Sequence, residues 1–163
     1  MNPSDEEQFV SSIGIIDHSN QYTVLLDASP DITEQLQALQ NISGKESQLP
    51  NAIFLTHAHI GHYTGLMYLG REACNAKNIN TYCLPRMHSF IQNNGPWNQL
   101  VNLQNIKPQQ IDFEQKIELT ISLDIKAIQV PHRDEYSETA GFYIYGPEKT
   151  ALFIPDIDKW SKW

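Results

Sequence analysis

The sequence contains few cysteines and no long hydrophobic segment. Cys74 and Cys83 are the only cysteines among its 163 residues, and neither has a second cysteine at CxxC spacing, which argues against a thiolate metal knuckle. We expect two free thiols in a reducing compartment, with a disulfide between them as the alternative. No apolar run approaches the roughly 20 residues that a bilayer-spanning helix needs, so we expect no insertion into a membrane.

Basic residues are also scarce. Eleven lysines and arginines stand against nineteen aspartates and glutamates, which gives a formal net charge of −8. A chain with this balance has no general attraction for nucleic-acid phosphates or anionic membranes, so we expect neither as a partner. A bound cation could still make one pocket locally positive. The expected partner is a small-molecule substrate, and a homo-oligomer is left open.

The first residues of the chain bear on its cellular compartment, and its length bears on the number of domains. Segment 1–7 is polar and acidic, whereas a secretory signal peptide is basic and then apolar. We therefore expect a soluble, cytoplasmic protein. Domains commonly contain about 100–200 residues, and we expect a single domain that spans residues 1–163.

Strand-like segments alternate with helix-like segments along the chain. Apolar runs bounded by turn residues predict strands at 9–17, 22–27, 52–56, 80–84, 116–121, 123–130, 141–145 and 150–155. Apolar residues at helical spacing predict helices at about 32–41, 66–73 and 85–94. Asp31 and Glu34 have capping-box spacing for the first of these helices, and 43–50 is a polar loop. This mixture predicts a layered α/β protein with substantial antiparallel sheet.

Three of the six histidines lie within six residues. His57, His59 and His62 directly follow the apolar run 52–56. Two imidazoles that are two residues apart in a loop after a buried strand can converge on one ion, and His62 can approach from the start of the next helix. Neutral imidazole binds zinc, iron and other first-row metals. Polar loop residues or hydrogen-bonded core histidines are the alternative, but three histidines at this spacing favour a metal site.

Two further strands end in a residue that can bind a metal. The apolar run 125–130 leads to His132, and the apolar run 151–154 leads to Asp156. Each residue alone is equally well a structural one, but together with the histidine cluster they favour one site at the edge of a sheet. Asp158 is the alternative to Asp156. His18 in a turn and His88 on a helix are not expected to bind metal.

The run from His57 to His62 resembles the HxHxDH signature of the metallo-β-lactamase superfamily. The segments 26–31, 57–66, 94–97 and 130–136 resemble a branch of proteins related to pyrroloquinoline-quinone biosynthesis protein B. This resemblance covers nearly the whole chain and implies an αββα sandwich. It also implies that Asp27 is a structural aspartate near the histidine loop, that His132 is the next histidine ligand and that Asp156 is the aspartate that bridges two metals.

The chain departs from this family pattern at two points. Gly61 stands where most members have an aspartate that binds the second metal, and no histidine follows His132 to match the family's final histidine. The second half of the sandwich is also largely missing, so we expect a domain that is truncated, and incomplete at its C-terminus, relative to the family. We expect one metal held by His57, His59 and His132, with Asp156 or water as the fourth ligand. A second site would keep only His62 and Asp156.

The resemblance implies a metal-dependent enzyme. Zinc would favour hydrolysis of an ester or phosphodiester-like bond by a metal-activated water, with Asp156 as the catalytic residue that orients or deprotonates this water. Iron would favour an oxidoreductase in cofactor biosynthesis. An inactive fragment that needs a missing C-terminal half or a second chain is a third hypothesis. Residues 133–136 could line the pocket or form a solvated turn, and 94–97 could form a pocket wall or a helix end with an aromatic core anchor.

Overall fold

Two β-sheets pack face to face in a computed structural model of the chain, which describes residues 9–44 and 49–163. The first sheet has the order β1-β2-β3-β4-β5, with β1 antiparallel to β2 and the other pairs parallel. Its strands are β1 Ile13–Asp17, β2 Tyr22–Leu26, β3 Ala52–Phe54, β4 Ile79–Cys83 and β5 Ile106–Gln110. The second sheet is antiparallel throughout. Its strands are β6 Lys116–Glu118, β7 Asp124–Gln129, β8 Ala140–Tyr145 and β9 Thr150–Phe153.

The helices lie in the connections of the first sheet. They are α1 Ile32–Ser43, α2 Ile60–Tyr63, α3 Pro85–Asn93 and α4 Trp97–Asn102, with a 3-10 turn at Thr64–Leu69. A second 3-10 turn, Trp160–Lys162, follows β9 of the second sheet. Helix α1 buries Ile32, Leu36 and Leu39 as its spacing predicts, and it ends at Gly44, which has a left-handed φ of 68°. Within 9–44 and 49–163, the helices are too short or too polar to cross a bilayer.

The parallel strands of the first sheet are covered on both faces. Ile53 of β3 belongs to the apolar cluster beneath the helices, whereas its neighbour Phe54 belongs to the cluster between the sheets. The Phe54 ring packs edge-on against Phe142 of β8, with ring centroids 5.6 Å apart. Because successive strand side chains point to opposite faces, a continuous apolar run suits this position. The predicted layered α/β class is confirmed, since helices cover one face of the first sheet and the second sheet packs against the other.

Several predicted elements differ in detail. No side-chain hydrogen bond caps α1, because the Asp31 carboxylate accepts from the Val10 N–H at 2.7 Å instead. The predicted helix 66–73 is wrong: the Ala28 N–H donates to the His62 carbonyl and the Gly65 N–H donates to the Ala28 carbonyl, both at 2.9 Å. The His62 carbonyl and the Gly65 N–H are therefore not available for the hydrogen bonds of a regular α-helix, and the segment forms a 3-10 turn instead.

The predicted bounds of other elements also shift. Strands predicted at 9–17, 116–121 and 150–155 are shorter, since they cover 13–17, 116–118 and 150–153. Helix α4 and strand β5 were not predicted. The edge strand β5 contains Pro108, which an edge position tolerates because one of its sides needs no hydrogen-bond donor. Residues 45–48 of the predicted loop and the acidic segment 1–7 lie outside the described residues.

Candidate metal centre

Both sheets deliver polar residues to the same end of the sandwich. Asp27 directly follows β2, and His57 lies three residues after the end of β3. Strands β7 and β9 run in the same direction because each is antiparallel to β8. His132 and Asp156 therefore follow them at one edge, each three residues after its strand.

Four side chains at this end of the sandwich converge on one point. His57, His59, His132 and Asp156 each offer one ligand atom, and all four atoms lie within 4.8 Å of one another. His59 Nδ1 lies 2.8 Å from His57 Nε2 and 3.2 Å from His132 Nε2. Asp156 Oδ2 lies 3.4 Å from His57 Nε2 and 3.6 Å from His132 Nε2. Ligand atoms around a tetrahedral zinc lie roughly 3.3 Å apart, given zinc–nitrogen bonds of about 2.0–2.1 Å. The four distances given, from 2.8 to 3.6 Å, are close to this value, so the four atoms can surround one metal ion.

The tautomer of His57 follows from its hydrogen bonds. The Thr56 hydroxyl donates to Asp27 Oδ2 at 2.9 Å, and Thr56 Oγ1 lies 2.9 Å from His57 Nδ1. Because its proton is already used, the hydroxyl can only accept from His57, so Nδ1 carries the imidazole proton. His57 Nε2 faces the other three ligand atoms and then carries an unprotonated lone pair.

His59 and His132 are oriented by carboxylates. His59 Nε2 lies 2.8 Å from Glu135 Oε2, and His132 Nδ1 lies 2.9 Å from Asp158 Oδ1. The hydrogen bond from His59 lowers the pKa of Glu135, which keeps this side chain ionised. An ionised carboxylate only accepts hydrogen bonds, so each ring carries its proton on the outer nitrogen. In neutral rings the inner nitrogens then offer lone pairs to a metal.

These tautomers make the centre a set of four acceptors. Three imidazole lone pairs and one carboxylate oxygen face one another, and such a set is unfavourable unless a positive charge lies among them. Burial, together with the neighbouring His62, His59 and His132, lowers the pKa of His57 to about 2, so this ring is neutral at pH 7. The donor set therefore fits a metal cation held by nitrogen and oxygen ligands.

His62 stands beside this group. Its Nδ1 contacts Asp27 Oδ2 at 2.8 Å, and its Nε2 lies 3.2 Å from Asp156 Oδ2. Burial disfavours the charged ring, but the hydrogen bond and the charge of Asp27, followed by those of Asp156, outweigh it and raise the pKa of His62. His62 and Asp156 are the two donors available for a second metal, since Gly61 adds none. His62 is accordingly separate from the four-residue group.

The remaining sequence candidates fall outside the group of four. Asp158 contacts the outer nitrogen of His132 and so does not take the place of Asp156. His18 and His88 join no potential metal-binding group among residues 9–44 and 49–163. Trp97 packs against the apolar cluster beneath the helices, with its ring centroid 4.9 Å from that of Tyr63, which agrees with a core anchor.

Sequence reasoning missed two residues that support the histidine loop. The Ala58 N–H, between two of the candidate ligands, donates to Ser137 Oγ at 2.8 Å. Arg86 donates from its guanidinium group to the carbonyl of Asp134 at 3.0 Å. These contacts join segments that are 79 and 48 residues apart, and no local sequence pattern indicates them.

Comparison with known families agrees with this geometry. The family model of the β-lactamase superfamily domain matches residues 22–162. The chain belongs to the metallo-β-lactamase superfamily. A comparison of this superfamily member with curated proteins gives no match.

Three solved structures illustrate the shared metallo-β-lactamase fold. Zn²⁺-bound PqqB from Methylobacterium extorquens is 24% identical with a TM-score of 0.72, and the match covers 90% of this chain and 52% of that chain. A diphosphatase from the PhnP family is 17% identical with a TM-score of 0.61, over 88% of this chain and 52% of that chain. Human tRNase Z, short form, is 17% identical with a TM-score of 0.56, over 88% of this chain and 60% of that chain. This superfamily member thus spans about half the length of the solved structures that it matches.

Proposed function

We propose that the chain binds one zinc ion through His57, His59 and His132, with Asp156 or water as the fourth ligand, and hydrolyses an ester or phosphodiester-like bond in a small molecule. The observation that carries the proposal is the group of four inward-facing acceptors, three of which are bare imidazole nitrogens. Three imidazoles with a position left for water form a common donor set of catalytic zinc. When bound, zinc polarises the scissile bond and lowers the pKa of a coordinated water to about 7.

Asp156 is the proposed catalytic residue. Its side chain is 37% exposed, so both water and substrate can reach it. His62 contacts Asp156 Oδ2 through Nε2 and is itself anchored on Asp27 through Nδ1. The carboxylates of Asp27 and Asp156 raise the pKa of His62 despite its burial, and a proton on Nε2 would be donated to Asp156 and fix its orientation. Asp156 is then placed to orient a water molecule and to accept its proton.

The similar structures support hydrolysis and zinc in different ways. Two of them are named a diphosphatase and a tRNase, which are hydrolases, and PqqB is described as Zn²⁺-bound. The same nitrogen and oxygen donors also accept iron, and iron in this site would favour the oxidoreductase alternative. The fragment alternative, in which a missing C-terminal half or a second chain is needed, predicts no turnover by this chain alone.

We also propose a cytoplasmic location and a small-molecule partner. Both cysteines are free: Cys74 is exposed and Cys83 is buried, which suits a reducing compartment. The His59 side chain is 21% exposed beside the more open Asp156, so the centre is accessible from the surface. Binding of nucleic acid or a membrane is not part of the proposal, and a homo-oligomer stays a prediction.

Turnover assays on the metal-loaded chain test this function. The zinc form is expected to hydrolyse a chromogenic phosphodiester or carboxylic ester, and Asp156→Asn should lower kcat by about 100-fold or more because the base is lost. Asp112→Asn, in an exposed loop, is the matched control and should retain the activity. Oxygen consumption by an iron form without hydrolysis by the zinc form would favour the oxidoreductase instead.

A further inference from the structure

The 133–138 loop, which runs from Arg133 to Glu138, contacts the candidate metal centre from outside. Glu135 in this loop holds His59 Nε2 at 2.8 Å, and its side chain is 48% exposed. As an ionised acceptor it fixes the proton on Nε2 and leaves Nδ1 toward the centre. Without this contact, the His59 ring could turn over or exchange its tautomer, because the proton on Nε2 would have no fixed acceptor.

The loop is attached to its surroundings at two other points. Ser137 is buried, accepts from the Ala58 N–H at 2.8 Å and donates to the Glu138 carbonyl at 2.9 Å. At the beginning of α3, the Arg86 N–H donates to the Glu138 carboxylate, with distances of 3.0 and 3.2 Å to the two oxygens.

Arg86 adds a second attachment through its side chain. Its Nη2 donates to the carbonyl oxygens of Asp134 and Glu135 at 3.0 and 3.3 Å. The carbonyl of Glu135 is thus held by Arg86 while its carboxylate holds His59. Helix α3 is in this way connected, through one loop residue, to one candidate metal ligand.

We propose that Glu135 is a positioning residue that fixes the tautomer and orientation of His59, and that Arg86 acts through Glu135 by holding the loop. This inference rests on the proposed metal site, because its purpose is to present Nδ1 of His59 to the ion. Outer carboxylate partners of ligating histidines commonly change metal affinity by about 10–100-fold when removed.

Zinc affinity, measured by competition with a chromophoric chelator, tests the role of Glu135. Glu135→Ala should bind zinc about 10–100-fold more weakly, with the stoichiometry still one per chain. Glu135→Gln should recover most of the affinity, because its amide oxygen can accept the same hydrogen bond. Glu114→Gln, an exposed glutamate that pairs with Lys126, is the control and should bind like the unsubstituted chain. Equal affinity in Glu135→Ala and the unsubstituted chain would overturn the proposal.

Imidazole ¹H–¹⁵N correlation spectra of the metal-free protein separate this inference from the proposed function. His59 should appear as the Nε2–H tautomer in the unsubstituted chain and in Glu135→Gln, and as a mixture of tautomers in Glu135→Ala. A chain that binds no zinc but shows this change would refute the metal site while supporting the role of Glu135. An unchanged His59 tautomer in Glu135→Ala would refute that role even if zinc binds.

A double-mutant cycle tests the role of Arg86. Arg86→Ala should weaken zinc binding less than Glu135→Ala, and the double variant should bind like Glu135→Ala alone, because in this proposal the Arg86 side chain acts on His59 through Glu135. Additive losses from the two substitutions would show that Arg86 acts independently of Glu135 and would overturn this part of the proposal.

Discussion

Asp27 Oδ2 accepts a hydrogen bond from His62 Nδ1 at 2.8 Å in a fully buried position. The same carboxylate accepts from the Thr56 N–H at 2.8 Å and from the Thr56 hydroxyl at 2.9 Å. Asp27 has a left-handed φ of 64°, which aspartate and asparagine tolerate better than other side chains. One buried aspartate therefore fixes both the loop that carries His57 and the ring of His62.

Asp27→Asn should lower the free energy of unfolding by about 1–3 kcal/mol. The asparagine can adopt the same φ and can accept from the Thr56 N–H, but its amide group replaces the second acceptor oxygen. His62 then loses its acceptor at Nδ1. Chemical denaturation measures the loss, and the exposed Asp112→Asn should cost less than about 0.5 kcal/mol. Equal stability of both variants would contradict the structural role of Asp27.

Gly61→Asp should create a second metal site. His62 Nε2 and Asp156 Oδ2 lie 3.2 Å apart, and a third donor at position 61 would complete a set of ligands. A Cβ at this glycine would meet only Val10 Cγ1, at 3.4 Å, so the side chain fits. Titration with zinc should give two ions per chain for Gly61→Asp and one for Gly61→Ala, which adds the Cβ without a donor. One ion in both variants would contradict the prediction.

The hydrogen bonds of the Asp17 carboxylate predict that the protein loses stability in acid. Hydrogen bonds from Thr120 and Ser122, followed by those from Asn20, lower the pKa of Asp17 despite partial burial. Its unfolded pKa is about 3.9, and a depressed folded pKa gives stability that is present above this value and is lost as the pH falls below it.

Asp17→Asn should therefore be less stable than the unsubstituted chain at pH 7, by about 1 kcal/mol, and the difference should shrink below about pH 4. Denaturant unfolding at several pH values measures this difference. A difference that stays constant from pH 7 to pH 2 would show that the carboxylate charge at position 17 has no part in it.

Cys83 should be unreactive toward thiol reagents in the folded chain. It is buried in β4, and burial raises its pKa to about 12, so almost no thiolate is present at neutral pH. Cys74 is exposed. An aromatic disulfide reagent should modify one thiol per folded chain and two per unfolded chain. Cys74→Ser should remove the fast reaction, and a fast reaction that persists in this variant would contradict the assignment.

The sequence predicts the centre of the site better than its surroundings. His57, His59, His132 and Asp156 follow apolar runs, and the structure brings their ligand atoms together because the strands that carry them end at one edge. The partners of these rings could not be predicted in the same way. Glu135 and Asp158 contact histidines 76 and 26 residues away in the sequence, and such contacts depend on how the loops fold.

The fold, like the site, could be predicted from the sequence only in part. Apolar periodicity identifies the buried strands and α1, because burial determines which of their residues are apolar. It does not identify β5, which is a polar edge strand, or α4, which has six residues and buries only Leu100. Apolar periodicity also does not identify the 3-10 turn after His62. Hydrogen bonds between this segment and Ala28, which lies in another part of the chain, determine its geometry.

Metal content of the purified chain and three histidine variants tests the central claim most directly. Elemental analysis should find one zinc per chain in the unsubstituted protein, none above background in His59→Ala, and one in both His62→Ala and His88→Ala. His62 lies outside the four-residue group, and His88 on α3 is the matched control. Retention of one metal in His59→Ala, or loss of the metal in His88→Ala, would contradict the assignment of His57, His59, His132 and Asp156 as its ligands.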